Sequence, residues 1–321
     1  MRRALALCLI LALCLSAALC EQEAHWQALT LTSFHLRREP DESAYRIIKL
    51  PKHGKVRVLE WGDEWCLITY GIRTGYAKTE WLYCFQSLDP AEYPLRNMPW
   101  TVSGYVVFER EADIRTLDFE GITAKPGQIA CADTVTSPGT CVLPVWRDTW
   151  SLAEGEGSVH AFVPWEEARS GDIIGGFTTY CGASQGGNKA ADRMHNIVLG
   201  CEKLDGTVIA PGGRFSFNQV CGPYLKSRGY RIAPNYSSDH EGYGGGVCQV
   251  TTTLYNAVLT LPLLIEDWAV HRVKGVPYVP QYFDAAVGTY SDLVFVNTLP
   301  YDIRITAQPQ DGIVTVLILR N

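Results

Sequence analysis

The feature that most restricts this chain is Gly244-Gly245-Gly246-Val247-Cys248-Gln249, which runs directly into the apolar stretch from Val250 to Leu261. A glycine inside a helix or strand costs roughly 0.5–1 kcal/mol against alanine, so three in a row argue for a turn. They give the backbone conformations closed to other residues and let a substrate come close to the main chain. The apolar run after them reads as a buried helix, which puts Cys248 at a helix start. Amides at such an N-terminus stabilise a thiolate or an oxyanion, and a cysteine held there is nucleophilic near neutral pH. The same pattern also describes a glycine turn followed by a buried helical cysteine, and no base is adjacent in sequence. Local chemistry leaves both readings open.

The surrounding segments supply an order. Ala190 to Leu199 carries helical apolar spacing and ends near Gly200; Thr207 to Ala210 reads as a strand entering the turn Pro211-Gly212-Gly213. Then come Phe215-Ser216-Phe217-Asn218, Arg228-Gly229-Tyr230 with Ala233-Pro234, and the glycine–cysteine motif with Thr251 to Ala257. His271, Tyr278-Val279-Pro280, Asp284-Ala285, Val287, Asn297 and Pro300 follow. From Phe177 to Ala307 these motifs resemble the VanW family. Two departures stand out: Gln281-Tyr282-Phe283 precedes Asp284 where the family carries a glycine, and the step from His271 to Tyr278 is slightly long.

The resemblance implies a mixed α+β VanW domain over residues 171–321 and a cysteine acyltransferase of the L,D-transpeptidase type, which makes 3–3 cross-links between peptidoglycan stems. Carried onto this chain, it implies Cys248 as nucleophile, His271 as base and Asp284 as orienter of the histidine. The amides of Gly246 and Val247 become candidate oxyanion donors. Gly244, Gly245, Gln249, Arg228 and Tyr230 are expected beside the substrate. His240 is nearer to Cys248 in sequence, but the stretch Ser237 to Gly242 reads as an exposed loop; Tyr255 reads as a packing residue. Peptidase or amidase chemistry would differ only in using water as acceptor. A non-catalytic module that binds wall peptides is the reading from another class.

The first half reads differently. Between residues 27 and 86, Leu29-Thr30-Leu31, Tyr45 to Ile48, Lys55 to Leu59, Trp65 to Tyr70 and Gly75 to Lys78 are short segments, several alternating with period two. Turn signals at Pro51 to Gly54 and Gly62 to Glu64 separate them, and five short strands suggest a small closed or nearly closed barrel. Leu36 to Pro40, Gly54 to Val58, Trp61 to Trp65, Gly75 to Lys78 and Trp81-Leu82 resemble a bacterial SH3-like domain, here over residues 25–87. That resemblance implies binding to wall peptides. Trp61, Trp65 and Tyr76, with Tyr70 and Trp81, are candidates for a ligand groove, against the plainer reading of core or barrel-edge aromatics.

Arg2, Arg3 and the apolar run Ala4 to Leu19 read as an export signal over residues 1–20, cleaved after Ala18 or Cys20. The protein is therefore expected outside the cell and associated with the wall, touching a membrane only through that segment if it is uncleaved. Export permits disulfides: Cys131 and Cys141 could close a loop around the turn Ser137-Pro138-Gly139, and Cys66 and Cys84 could face each other within the barrel, but sequence does not fix the pairing and buried thiols are the alternative. No cysteine or histidine spacing suits zinc, so neither a metal nor another cofactor is expected. A net charge of −6 excludes the basic surface of a nucleic-acid binder. A monomer is expected. Residues 88–170 read as a linker at Pro90, Pro94 and Pro99 followed by a β-rich region without an assigned role, with strands near Val102 to Phe108, Val142 to Trp146 and Val159 to Val163.

Overall fold

The computed structural model describes residues 24–88, 100–116, 119–143, 148–182, 187–235, 241–271 and 275–321. The export segment, the prolines 90, 94 and 99, residues 144–146 and residues 237–240 lie outside the described residues, whereas Glu241 and Gly242, read as part of that loop, belong to a strand. Among those described, no helix is long and apolar enough to cross a membrane. The chain divides into two compact units, Met1–Leu88 and Asp89–Asn321.

The first unit is one antiparallel sheet of seven strands: β1 (Trp26–Thr30), β2 (Phe34–Arg37), β3 (Arg46–Leu50), β4 (Lys55–Glu60), β5 (Trp65–Tyr70), β6 (Arg73–Lys78) and β7 (Leu82–Ser87). All five expected strands are present, and β2 and β7 join them. Alternation does the building. Val56 and Val58 on β4, Cys66 and Ile68 on β5, and Ala77 on β6 turn inward to a core with Leu36 and Leu50. The sheet order is β3-β2-β6-β5-β4-β1-β7, and no pairing joins β3 to β7, so the expected closed barrel is absent among the described residues. Cys66 and Cys84 do not pair: β4 and β1 lie between their strands, and each thiol has its own partner, Thr79 for Cys66 and the Gln86 carbonyl for Cys84.

The second unit is mixed. A five-stranded sheet, ordered β13-β12-β11-β8-β14, comprises β8 (Gly104–Phe108), β11 (Ile129–Asp133), β12 (Thr140–Leu143), β13 (Asp148–Ser151) and β14 (Gly157–Ala161). A separate ribbon pairs β9 (Ala112–Thr116) with β10 (Phe119–Ala124). The remainder holds a four-stranded sheet, β15-β23-β22-β16, built from β15 (Ile173–Tyr180), β16 (Val208–Ile209), β22 (Ile303–Gln310) and β23 (Ile313–Arg320). Helix α1 (Ala190–Leu204) packs on β22 and helix α3 (Val247–Val258) on β15 and β23; the short α2 (Phe217–Cys221) lies against α1. A three-stranded sheet, β17 (Arg214–Ser216), β21 (Val294–Val296) and β20 (Leu264–Asp267), and the pair β18 (Ile232–Pro234) with β19 (Glu241–Tyr243) complete the unit.

These sheets share a core. Tyr180 of β15 and Ile313 of β23 sit in one apolar cluster with Val106, Phe108, Ile114 and Leu143. The Cys131 amide donates to Thr178 Oγ1 at 2.8 Å, and Thr315 Oγ1 donates to the Ile129 carbonyl at 2.6 Å. Cys131 and Cys141 cannot close the expected disulfide, because Cys141 stands opposite Ala132 in the ladder and successive residues face opposite sides of a sheet. Cys131 joins Leu317 and Leu319, whereas Cys141 joins the Tyr180 cluster.

Candidate active site

The entry to α3 explains the three glycines. Gly244 and Gly246 take φ of +82° and +105°, the left-handed region that favours glycine. At Gly245 a Cβ would stand 2.4 Å from the Ala233 carbonyl oxygen; at Gly246 it would meet Arg193 Cγ at 2.8 Å. The close approach expected of a substrate is thus made by the protein's own chain. Asn196 on α1 fixes the turn, donating from Nδ2 to the carbonyls of Arg231 and Gly245 at 2.9 Å each and accepting from the Arg231 amide at 2.8 Å.

Beyond the turn α3 enters the core, and eleven of its twelve residues are buried. The exception is Cys248. It is also the only cysteine among the described residues that is not buried. Its Sγ lies 3.8 Å from the Val287 carbonyl. His271 follows β20 and is buried with Asp284: its amide and its Nδ1 both meet Asp284 Oδ2 at 2.7 Å. Cys248 also acts on the imidazole, and with Nδ1 turned to Asp284 the nitrogen left for sulfur is Nε2. Burial works against charging this ring. Its bonds to Asp284 and Cys248, together with the charges of both, outweigh burial and lift the imidazole from 6.5 to about 10.

Helix α3 itself holds the loop that bears Asp284. Thr252 Oγ1 accepts from the Ala285 amide at 2.9 Å, and Asn256 Nδ2 donates to the Phe283 carbonyl at 2.8 Å. Trp268, stacked on Tyr255, donates from Nε1 to the Asp284 carbonyl at 2.8 Å. From the other side, Asn218 Nδ2 donates to the carbonyls of Gly288 and Ser291, while the half-buried Tyr224 donates its hydroxyl to Asn218 Oδ1 at 2.7 Å.

The structure therefore brings Cys248, His271 and Asp284 together, although 36 residues separate the first from the last in sequence. Other expected contacts fall elsewhere. Gln249 is buried behind Cys248, accepting from Arg193 Nη2 at 2.8 Å and donating to Thr179 Oγ1 at 3.2 Å. The Val247 amide is spent on the Gly244 carbonyl at 3.0 Å, which removes it as an oxyanion donor. Tyr230 is buried with its hydroxyl on the Cys221 carbonyl at 2.6 Å, so it supports the fold. Arg228 is exposed and reaches the Gly222 carbonyl at 3.3 Å. In the first unit, Trp61 packs against the core beside Trp26, whereas Trp65 and Tyr76 lie half-buried on the opposite face of β5 and β6.

Sequence reasoning missed Arg193, Asn218, Tyr224 and Thr252. Arg193 left a signal: it stands one turn before Ile197 on the apolar stripe that continues through Gly200, Cys201 and Leu204, where a cation has no ordinary reason to be.

Residues 192–319 match the family model described as "VanW like protein". A relative from Bacillus subtilis (strain 168), "Uncharacterized protein YoaR", is 39% identical over 142 residues, covering 43% of this chain. The aligned part spans 45% of that relative, less than half its length. The second unit is thus similar to VanW-like proteins over those residues, and its Cys248 site lies within them.

Proposed function

We propose that the VanW-like domain is a cysteine acyltransferase of the L,D-transpeptidase type, exported to the cell envelope and acting on peptidoglycan stem peptides. The observation that carries this reading is the single non-buried cysteine among the described residues, which acts on a histidine whose Nδ1 is held by a buried carboxylate. That is the arrangement nucleophilic catalysis requires: nucleophile, base and orienter. The Cys248 thiolate attacks the carbonyl carbon of the third residue of a tetrapeptide stem, and His271 gives its proton to the departing D-alanine amine. A thioester remains. The side-chain amine of a second stem then attacks it, His271 takes the amine proton, and the new amide leaves as Cys248 departs as a thiolate, which restores the starting pair. Both tetrahedral oxyanions form at the N-terminus of α3, where the helix dipole favours negative charge.

The first unit adds an SH3-like wall-binding module to this reading. Its support is the face of β5 and β6 where Trp65, Tyr76 and Lys78 lie together, Lys78 Nζ standing 5.9 Å from the Trp65 ring centroid. The test is incubation of the purified protein with tetrapeptide-stem muropeptides, followed by mass spectrometry. An acyl adduct on Cys248 and 3–3 dimers are expected. Tripeptide without dimers would assign water as the acceptor, and an unmodified thiol with intact tetrapeptide would leave a binding module.

A further inference from the structure

We infer that the turn at residues 288–291 is a substrate-binding element of the Cys248 site and that Tyr290, at its tip, contacts the peptide stem of the substrate. The inference rests on the function proposed above and assigns a residue that grips the stem.

Tyr290 is 99% exposed, more than any other large hydrophobic side chain among the described residues. Yet its turn is held from within. The Gly288 amide donates to the Ser291 carbonyl at 3.0 Å, and Asn218 Nδ2 donates to the carbonyls of Gly288 at 3.0 Å and Ser291 at 2.9 Å. Asn218 is fixed in its own right: its Oδ1 accepts the Tyr224 hydroxyl at 2.7 Å, and its amide donates to Asp292 Oδ1 at 2.9 Å. A Cβ on Gly288 would meet no atom within 4 Å among the described residues, so the turn stands clear while its ends are tied.

An aromatic ring left in water keeps its apolar surface hydrated, and fixing the backbone of a turn costs conformational entropy. A ligand that covers the ring removes the first cost, and a contact ordered beforehand loses less entropy on binding. Position selects the ligand. The turn follows Val287, whose carbonyl faces Cys248 Sγ at 3.8 Å. From Val287 to Tyr290 the chain spans at most about 11 Å, whereas four residues of an extended peptide cover about 13 Å. A stem whose reacting carbonyl lies at Cys248 is therefore long enough to run past the Tyr290 ring. Tyr224 also fixes this turn relative to the nucleophile. Its hydroxyl holds Asn218, and its ring packs on the glycine turn before Cys248, where a Cβ on Gly244 would stand 3.0 Å from Tyr224 Cβ. A turn that served only to hold Val287 would need these ties but not the ring.

Calorimetry with the free tetrapeptide, on the full chain carrying Cys248→Ala to prevent turnover, reads recognition alone. In that background Tyr290→Ala is expected to weaken tetrapeptide binding about fivefold, and Tyr290→Phe to stay within about twofold, since the ring and not the hydroxyl makes the contact. With Cys248 intact, Tyr290→Ala should raise KM by a similar factor while kcat holds. The urea midpoint and the iodoacetamide alkylation rate of Cys248 should not move, because the ring touches neither the core nor the thiol. An affinity unchanged by Tyr290→Ala would overturn the inference. So would an absence of tetrapeptide binding, or a loss seen only with disaccharide-linked tetrapeptide, which would seat the ring on sugar. Adduct and dimers formed with a KM indifferent to Tyr290→Ala would defeat the contact alone. Tetrapeptide binding that depends on Tyr290, with no adduct in the native protein, would defeat the acyltransferase reading alone.

Discussion

The outer face of β5 and β6 and the entry to α3 both carry side chains suited to meeting a ligand, on opposite structural terms. On the strands, Trp65, Leu67, Tyr76 and Lys78 share one face while Cys66, Ile68 and Ala77 fill the core from the other. That core is complete without the outward set. At α3 the candidate groups are themselves interior: His271, Asp284 and Arg193 are buried, and the loops that hold them are tied by Thr252, Asn256 and Asn218. A surface set can be edited at small cost. A buried polar set cannot, because deleting one partner strands another away from water.

The harshest way to probe the difference is to cut the chain. Residues 100–321 should fold alone, whereas residues 171–321 should not. The shorter piece loses the partners of Tyr180 and Ile313 and the Trp100 ring that packs on Phe177 and Phe283 at 5.5 and 4.7 Å. Circular dichroism melts would show a cooperative transition for the first and none for the second; a cooperative melt for 171–321 would make the five-stranded sheet an appendage.

Next in size, Cys248→Ala should abolish adduct and product while the melting temperature moves by no more than about 2 °C, since the thiol is the one part of α3 not packed in the core. A large loss of stability with activity retained would return Cys248 to the class of buried structural cysteines. Asp284→Asn should act on both properties. It leaves the His271 amide and ring with a neutral partner, costs about 2–3 kcal/mol in urea titration and slows acylation at least about a hundredfold. Unchanged stability would show that the His271–Asp284 contact is dispensable to the fold.

Proton linkage gives a gentler probe. His271 holds its proton to about 10 in the folded protein against 6.5 for the unperturbed ring. Its contribution to stability is complete below 6.5 and is lost as pH rises through about 10. Urea midpoints should therefore fall between those limits, and fall less in Cys248→Ala, which lacks one of the bonds that raise the ring. A midpoint that climbs over that range would reverse the sign and rule out a charged His271.

The two regions also differ in how far residues alone revealed them. Short segments bounded by turn signals, several with period-two alternation, located β1, β3, β4, β5 and β6, because a side chain on a half-buried strand reports its own environment. It could not show that the sheet stays open, which depends on whether β3 finds β7, a pairing no local pattern encodes. The Cys248 site was legible through its motif and resemblance. Periodicity could not have found it: His271 and Asp284 lie outside regular elements, and their meeting is set by Trp268, Thr252 and Asn256. Gln249 and Tyr230 were expected beside a substrate because both lie in motifs of the resembled family. Burial shows them occupied, one by Arg193 and Thr179, the other by the Cys221 carbonyl.

The smallest expected effect belongs to Trp65, and it sharpens the contrast from the surface side. Trp65 meets Trp81 edge-on at 6.3 Å, and Lys78 Nζ stands 5.7 Å from the Trp81 ring centroid as well, so the two indoles and the ammonium form one patch. Trp65 contributes no inward side chain to the core, so Trp65→Ala should cost less than about 1.5 kcal/mol and leave Cys248 chemistry untouched. If the patch stacks on wall fragments, the same change should weaken co-sedimentation of the full chain with purified sacculi. Salt should matter little: residues 25–86 carry nine Lys and Arg against seven Asp and Glu, too even a balance for electrostatic capture. Binding that survives Trp65→Ala but disappears at 0.3 M salt (about 6 Å screening length) would move recognition from the aromatic face to charge.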